Sequence, residues 1–264
     1  MTAPLPSLKL SELEAVFDFI FISIFMKKIL LPLCLAIGSS STVYAGDLAN
    51  LSSLTPSEFR TVSEDLGAAF SYKPLAPTLG LGITGFDLGL TVTATDISKS
   101  AGALSKAGAS SSSMDTLLVP KLHVHKGLPL GFDVAAFVSS ISTINATLVG
   151  GELRYALIDG GIALPAVGIR GALTRLTGSN TLSMDTRSVD ISISKGFAML
   201  TPYAGVGQVW VNSNPNGIGL SNESLSLGKV FAGANLNFGL INFALEGDKT
   251  GSTTSWGLKM GLRW

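Results

Sequence analysis

The chain has 264 residues, 18 Lys+Arg against 18 Asp+Glu, 46% hydrophobic residues and only 14% charged ones. Zero net charge argues against nucleic acid, which is held through a basic face. No stretch after residue 45 approaches the roughly 18 apolar residues of a transmembrane helix, so the apolar groups must fill a core or face lipid in alternation.

The first 45 residues read as an export segment. Met26-Lys27-Lys28 is a short basic start, Ile29 to Gly38 is apolar, and Val43-Tyr44-Ala45 offers small residues for cleavage before Gly46. These are the parts of a secretory signal at 26–45, with 1–25 as an upstream mis-start or extension. A signal anchor from Phe17 to Ile37 would bury Lys27 and Lys28 mid-membrane, at roughly 2.5 kcal/mol or more each. Cys34 is the only cysteine and lies inside this segment, with Leu33 where a lipoprotein signal needs a small residue. Beyond it no disulfide framework, thiol catalyst or cysteine metal site is available.

Residues 46–82 form an N-terminal lid or plug segment. Thr55-Pro56-Ser57-Glu58 is a capping box with proline at the first helical position. Phe59, Val62 and Leu66 follow at spacings of three and four, giving one apolar helix face. The segment is expected at the periplasmic mouth or in the lumen, packed on small inward residues. Leu66 to Lys73 reads either as its continuation or as a strand.

From residue 83 to 264 the period is two. Phe86, Leu88, Leu90, Val92 and Ala94 oppose Asp87, Gly89, Thr91, Thr93 and Thr95. That is the apolar-out, polar-in dyad of a membrane strand. It recurs with Leu118 to Val124 against Lys121, His123 and His125, and with Phe132 to Val138 against Asp133 and Ala135. Later strands set Val149, Leu153 and Tyr155 against Glu152 and Arg154, then Val167, Ile169 and Leu173 against Arg170 and Thr174. Val189 to Ile193 oppose Asp190, Ser192 and Ser194; residues 200–211 leave the parity open. Val230 to Phe238 oppose Gly233, Asn235 and Asn237, and Ile241, Phe243 and Leu245 oppose Ala244, Glu246 and Asp248. Trp256 to Trp264 oppose Ser255, Lys259 and Arg263. The pattern predicts an all-β fold, an antiparallel transmembrane β-barrel of about ten strands, or twelve if 66–82 add a pair. Short turns near 126–131, 158–161, 196–199 and 239–240 alternate with longer links at 96–115, 142–145, 176–183, 212–225 and 249–253, as periplasmic turns and outer loops do. Phe86, Phe132, Tyr155, Phe238, Phe243 and Trp264 fall outward near the short turns, where an aromatic girdle belongs. A soluble sandwich would share the alternation, but explains neither signal nor girdle.

The final Trp256-x-Leu258-x-Met260-x-Leu262-x-Trp264 resembles the C-terminal signal of Gram-negative outer-membrane proteins, with Trp in place of the usual Phe. The chain resembles a family of small outer-membrane β-barrel proteins. The resemblance implies an outer-membrane location, lipid as surroundings and the outer-membrane insertion machinery as partner. It supplies no substrate.

Candidate chemistry is sparse. His123 and His125 share a strand face, and simple hairpin pairing sets His125 opposite Asp133; the choices are a metal clip, a His–Asp pair, or lumen polar groups touching the lid. The last is favoured, with no metal and no cofactor. The inward acids Asp87, Asp133, Glu152, Asp190, Glu246 and Asp248 nearly balance the bases Lys121, Arg154, Arg170, Lys259 and Arg263. A single-sign ring would suggest an ion filter; this balance points to cross-lumen ion pairs. Asp87 and Arg263 are expected to meet across the closing seam. The leading reading is a non-enzymatic barrel, either a narrow channel for small solutes or a closed structural protein. An enzyme acting on lipid or peptide, and a binder using loops 96–115 and 212–225, are the alternatives.

Overall fold

A computed structural model of the protein describes residues 48–264 apart from 49, 110–114, 142–143, 162 and 218; the expected export segment and the residues before it lie outside these. A 3-10 turn at Leu51–Ser53 and the helix α1 (Pro56–Phe70) precede β1 (Phe86–Asp96), and a short helix α2 (Ala101–Lys106) follows it. The remaining strands are β2 (Thr116–Gly127), β3 (Phe132–Ile141), β4 (Ala146–Ile158), β5 (Ala166–Thr177) and β6 (Ser183–Ser194). They continue as β7 (Leu200–Asn214), β8 (Glu223–Phe238), β9 (Ile241–Thr250) and β10 (Thr253–Arg263). Each pairs antiparallel with the next, and β1 pairs with β10, closing a ten-stranded barrel. Residues 66–82 add no strand pair: α1 runs to Phe70, and an irregular extended segment follows.

Closure follows from the end strands starting and finishing at the same rim. Asp87 stands opposite Arg263 in the β1–β10 ladder, and Phe86 exchanges backbone hydrogen bonds with Trp264 at 2.8 and 3.0 Å. The outward phase holds around the barrel. Leu118, Leu173, Val230 and Leu258 are each more than half exposed, while Thr93, His125, Arg154, Asp190 and Lys259 are buried inside. β7 resolves to Leu200, Ala204, Val206 and Trp210 outward, with Tyr203, Val209 and Val211 inward. Its parity was unreadable because both faces are apolar at Val209-Trp210-Val211. The aromatic residues near the short turns pair across strands. Phe86 stacks on Trp264 at 5.0 Å, Phe132 meets Tyr155 at 4.7 Å, and Phe238 meets Phe243 edge-on at 6.4 Å.

The links differ from expectation in two places: the short turn expected at 158–161 is a seven-residue link, 159–165, and the long link expected at 249–253 is short. β9 and β10 are joined by Gly251 and Ser252 alone, with Gly251 at φ 60°, so 249–253 is a tight hairpin rather than a loop. The long links at this rim are 97–115 and 215–222.

The N-terminal segment threads the barrel lengthwise. Its helix starts at the long-link rim, where Asn50 N–H donates to Ala107 O and Arg60 pairs with Glu223 at 2.9 Å. Thr55 and Glu58 close the capping box, at 3.2 and 2.7 Å. The helix descends with Phe59, Val62, Leu66 and Phe70 essentially inaccessible. Residues 71–81 continue to the opposite rim, where Leu81 N–H donates to Asp133 Oδ1 at 3.1 Å. The helix therefore sits in the long-link half of the lumen, not at the short-turn mouth. It packs on large apolar side chains rather than small ones: Leu117, Val119, Leu148, Leu176, Met184, Val209, Val211, Leu225 and Leu227 belong to its core. Each large apolar side chain so buried is worth roughly 1.5–3 kcal/mol, which holds α1 in place. Gly67 marks the closest approach: a Cβ there would stand 2.6 Å from Val211 Cγ2.

Candidate functional site

Every inward charge expected from the strand pattern faces the lumen, and most lie in its short-turn half around residues 71–81; Asp248, two residues from the long-link end of β9, meets the segment at Lys73. Twelve of these groups, Asp87, Lys121, His123, His125, Asp133, Glu152, Arg154, Arg170, Asp190, Glu246, Asp248 and Lys259, are buried, and the Arg263 side chain is 15% exposed at the rim.

The pairs run along the wall more than across the lumen, because cross-strand neighbours lie closest. Asp87 Oδ2 accepts from Lys259 Nζ at 2.6 Å and from Arg263 Nε at 2.7 Å. Asp133 Oδ2 accepts from both Nε and Nη2 of Arg154 at 3.1 and 2.5 Å. Arg170 holds both carboxylate oxygens of Asp190 at 3.1 and 2.6 Å and reaches Glu152 at 3.5 Å. The recurrence of Gly-Phe-Asp at 85–87 and 131–133 thus has one physical reading at both sites: an outward Phe stacks in the girdle and the next, inward Asp receives an arginine from the neighbouring strand.

The histidines differ from the simple hairpin expectation. β2 continues to Gly127, and that residue, not His125, stands opposite Asp133; His125 faces Ala135. The turn carries positive φ at Leu130 (63°) and Gly131 (76°), which sets the pairing two residues further along the same face. Asp133 is thereby given to Arg154. His125 Nε2 lies 2.6 Å from Glu152 Oε1, and His123 Nε2 lies 2.6 Å from the Tyr72 hydroxyl. The two rings sit 4.5 Å apart, edge to face. A Tyr–His and a His–carboxylate contact are the parts of acid–base chemistry, but here all four side chains are sealed inside the barrel. One of them, Tyr72, belongs to the threaded segment itself.

That segment is the principal client of the network. Leu75 N–H donates to Glu246 Oε2 at 3.1 Å, and Leu79 N–H to Ser194 Oγ at 3.2 Å. Arg154 Nη1 donates to Pro77 O at 2.5 Å, and Lys229 Nζ to Tyr72 O at 2.7 Å. Lys73 pairs with Asp248 at 2.7 Å, and Thr78 Oγ1 donates to Ser192 Oγ at 2.9 Å.

No protein-family model matches the chain, and no curated protein does. Among solved structures it is similar to the N-terminal β-barrel domain of OprF from Pseudomonas aeruginosa. The match is 15% identical with a TM-score of 0.33, covering 67% of this chain and 97% of that one. It is also similar to the KdgM porin in complex with disordered oligogalacturonate, at 7% identity and TM-score 0.36, covering 67% and 98%. LpxR from Salmonella typhimurium matches at 10% identity and TM-score 0.34, covering 66% and 99%. Likenesses this distant carry no role across.

Several lumen groups escape the sequence pattern. Lys229 lies one dyad step before Phe231 and two before Gly233, so extending the β8 alternation towards its start would have found it. Tyr203, which donates to Glu246 Oε2 at 2.9 Å, lies in the stretch of open parity. Tyr72 and Lys73 carry no periodic signal, because they sit in irregular backbone. At the long-link rim, Asp65 of α1 accepts from Ser100 N–H at 3.0 Å and Thr253 Oγ1 at 2.7 Å, a helix-to-rim clamp that nothing in the local sequence announces. Beside it Glu58, exposed, is held down at about 2 by the Thr55 backbone N–H and by Lys106.

Proposed function

We propose that the chain is an integral outer-membrane β-barrel whose pore is closed by its own N-terminal segment, with a structural rather than a catalytic role. The membrane reading rests on the continuous outward apolar band, bounded by the paired aromatic residues at the short-turn rim. Soluble proteins rarely expose contiguous apolar patches above a few hundred Å², and among the described residues no helix is long and apolar enough to cross a membrane. The strands are then the spanning elements. The short turns face the periplasm and the long links the outside. The Trp256–Trp264 pattern is the element presented to the insertion machinery.

Closure is carried by one observation: α1 and residues 71–81 occupy the lumen from one rim to the other, with residues 71–78 buried. His123 and His125 are fasteners of this segment, and catalysis would need a substrate where the segment now lies. Planar-bilayer recording on the refolded chain from Gly46 is the test. The intact protein is expected to give no unitary conductance steps, and deletion of residues 47–81 is expected to produce them without abolishing insertion. Steady conductance from the intact chain would overturn the closed reading.

A further inference from the structure

On the outer wall of the barrel, we propose a site for the phosphorylated sugar headgroup of an outer-leaflet glycolipid, built by Arg175 and Arg187 beside a slot for one acyl chain. The proposal rests on the membrane reading and orientation above.

The outward face of β5 and β6 changes character along its length. Val189, Ile191 and Ile193 are apolar and exposed towards the short-turn side; Arg187 and Asp185 follow towards the long links. Arg187 stands opposite Leu173 on one side and Trp210 on the other. Trp210 and Trp256 are both outward and exposed, on strands whose outward residues turn polar at this level. Indole rings favour the membrane–water interface, so Arg187 lies where lipid headgroups begin. It is exposed, and among the described residues its guanidinium makes no hydrogen bond or ion pair. Two residues further up β5, Arg175 is 68% exposed; only its Nε is engaged by Asp185, at 2.7 Å, leaving its other donors free.

Beside the guanidinium groups is a groove of about 390 Å³ whose lining includes Val149, Gly151, Leu173, Arg175 and Arg187, with Asp185 held by Arg175 at its edge. Gly151 in its lining presents no side chain to fill it, and outward Gly171, two residues before Leu173 on β5, leaves the adjoining surface open, with nothing within 4 Å of where a Cβ would be. An apolar slot beside two arginines matches an acyl chain beside a phosphate, whose oxygens suit the planar fork of arginine. The neighbouring outward surface selects the headgroup. Gln208 donates to Ser226 Oγ at 2.8 Å and Ser224 to Asn212 Oδ1 at 3.0 Å, a strip of amides and hydroxyls complementary to sugar. A zwitterionic phospholipid would bring an ammonium group towards the arginines instead.

The probe is native mass spectrometry of the refolded protein in detergent, with phosphorylated lipid A, its dephosphorylated form and phosphatidylglycerol offered separately. Heat-modifiable migration and vesicle insertion are checked first; failure there sinks the membrane reading itself. On an inserted barrel, lipid A is expected to be retained over both other lipids. Arg175→Gln with Arg187→Gln is expected to weaken retention about tenfold or more, as losing charge-assisted contacts should. Lys126→Gln at the opposite rim is expected to leave it unchanged. Arg187→Gln alone, which keeps the Arg175–Asp185 pair, gives the same readout if the double variant folds poorly. Equal retention by the arginine variants, or of dephosphorylated lipid A, overturns the site. Equal retention of phosphatidylglycerol overturns the glycolipid assignment.

Discussion

The two halves of the lumen solve the same problem with opposite chemistry. In the long-link half the intruding chain is a helix, and the wall facing it is Leu, Val, Met and Phe. In the short-turn half the intruding chain is extended, and the wall facing it is charged. The difference lies in the backbone. A helix satisfies its own N–H and C=O groups, so an apolar wall suffices. An extended segment does not, and each buried backbone group must find a partner elsewhere. Pro74 and Pro77 remove two of the donors, and Glu246, Ser194, Asp133, Arg154 and Lys229 serve five of the remaining groups. The lumen charges are therefore sockets for a threaded chain more than features of a pore.

The largest effect that can break this comparison comes from two ion pairs of similar geometry. Replacing one partner of a buried pair strands the other, at about 3–5 kcal/mol, so Arg154→Ala and Arg170→Ala should both destabilise the barrel strongly. The double apolar replacements should then diverge. Burying matched apolar groups in place of a pair is often neutral or better, and Arg170→Met with Asp190→Leu should recover much of the loss, since neither residue serves the threaded backbone and Glu152, which Arg170 reaches at 3.5 Å, keeps His125 at 2.6 Å. Asp133→Leu with Arg154→Met should not recover, because Leu81 N–H and Pro77 O lose their partners. Urea titration of heat-modifiable migration in vesicles reads the difference. Equal recovery of the two doubles would mean the charges are wall ornaments indifferent to the segment.

A middle-sized test sits in the apolar half, where shape rather than polarity should decide. Gly67→Ala places a methyl group against the β-branched Val211, and overpacking of this kind costs about 1–3 kcal/mol. Gly67→Ala with Val211→Ala is expected to restore much of it, measured by the same titration. If Gly67→Ala alone is stabilising, as a helix-propensity gain of up to about 1 kcal/mol would allow, the helix is not seated as tightly as its burial indicates.

The same contrast explains what the sequence could reveal. The outward face was legible on every strand but β7, because its positions are apolar at a period of two. The girdle and the inward charges of β1 to β6, β9 and β10 followed from the same period of two. The seam between Asp87 and Arg263 followed from the even strand count. Where the wall meets the helix both faces are apolar, as at Val209-Trp210-Val211, and the period vanishes. Which inward charge serves which backbone group was not legible at all. Those partners, such as Glu246 with Leu75 or Asp133 with Leu81, are separated by more than fifty residues, and one member of each belongs to a segment without periodicity. The pairing of His125 was missed for a smaller reason, a positive-φ turn that moved the register by two.

The smallest expected effect lies where the helical half meets solvent, and it concerns pH. Glu58 completes the capping box on α1 and pairs with Lys106 of α2 at 3.0 Å. The Thr55 backbone N–H and Lys106 hold its carboxyl down at about 2, below the ordinary glutamate value of about 4.3. A carboxylate lowered on folding contributes stability that is complete above the unfolded value, declines as pH falls below it and is gone once the folded value is passed. The contribution should therefore be intact at pH 6 and fade between about pH 4 and pH 2. The group is exposed, so the loss is confined to the mouth: the first turn of α1 and the Glu58–Lys106 contact should loosen while the buried lumen pairs hold. Hydrogen exchange of the Thr55 and 57–60 amides, compared at pH 6 and pH 3 after correction for intrinsic rates, should show lost protection there and none at 62–70. Glu58→Gln should show that reduced protection already at pH 6, with little further pH dependence. Uniform loosening along all of α1 would mean that the cap does not act locally and that the helical half opens as one unit with the charged half beneath it.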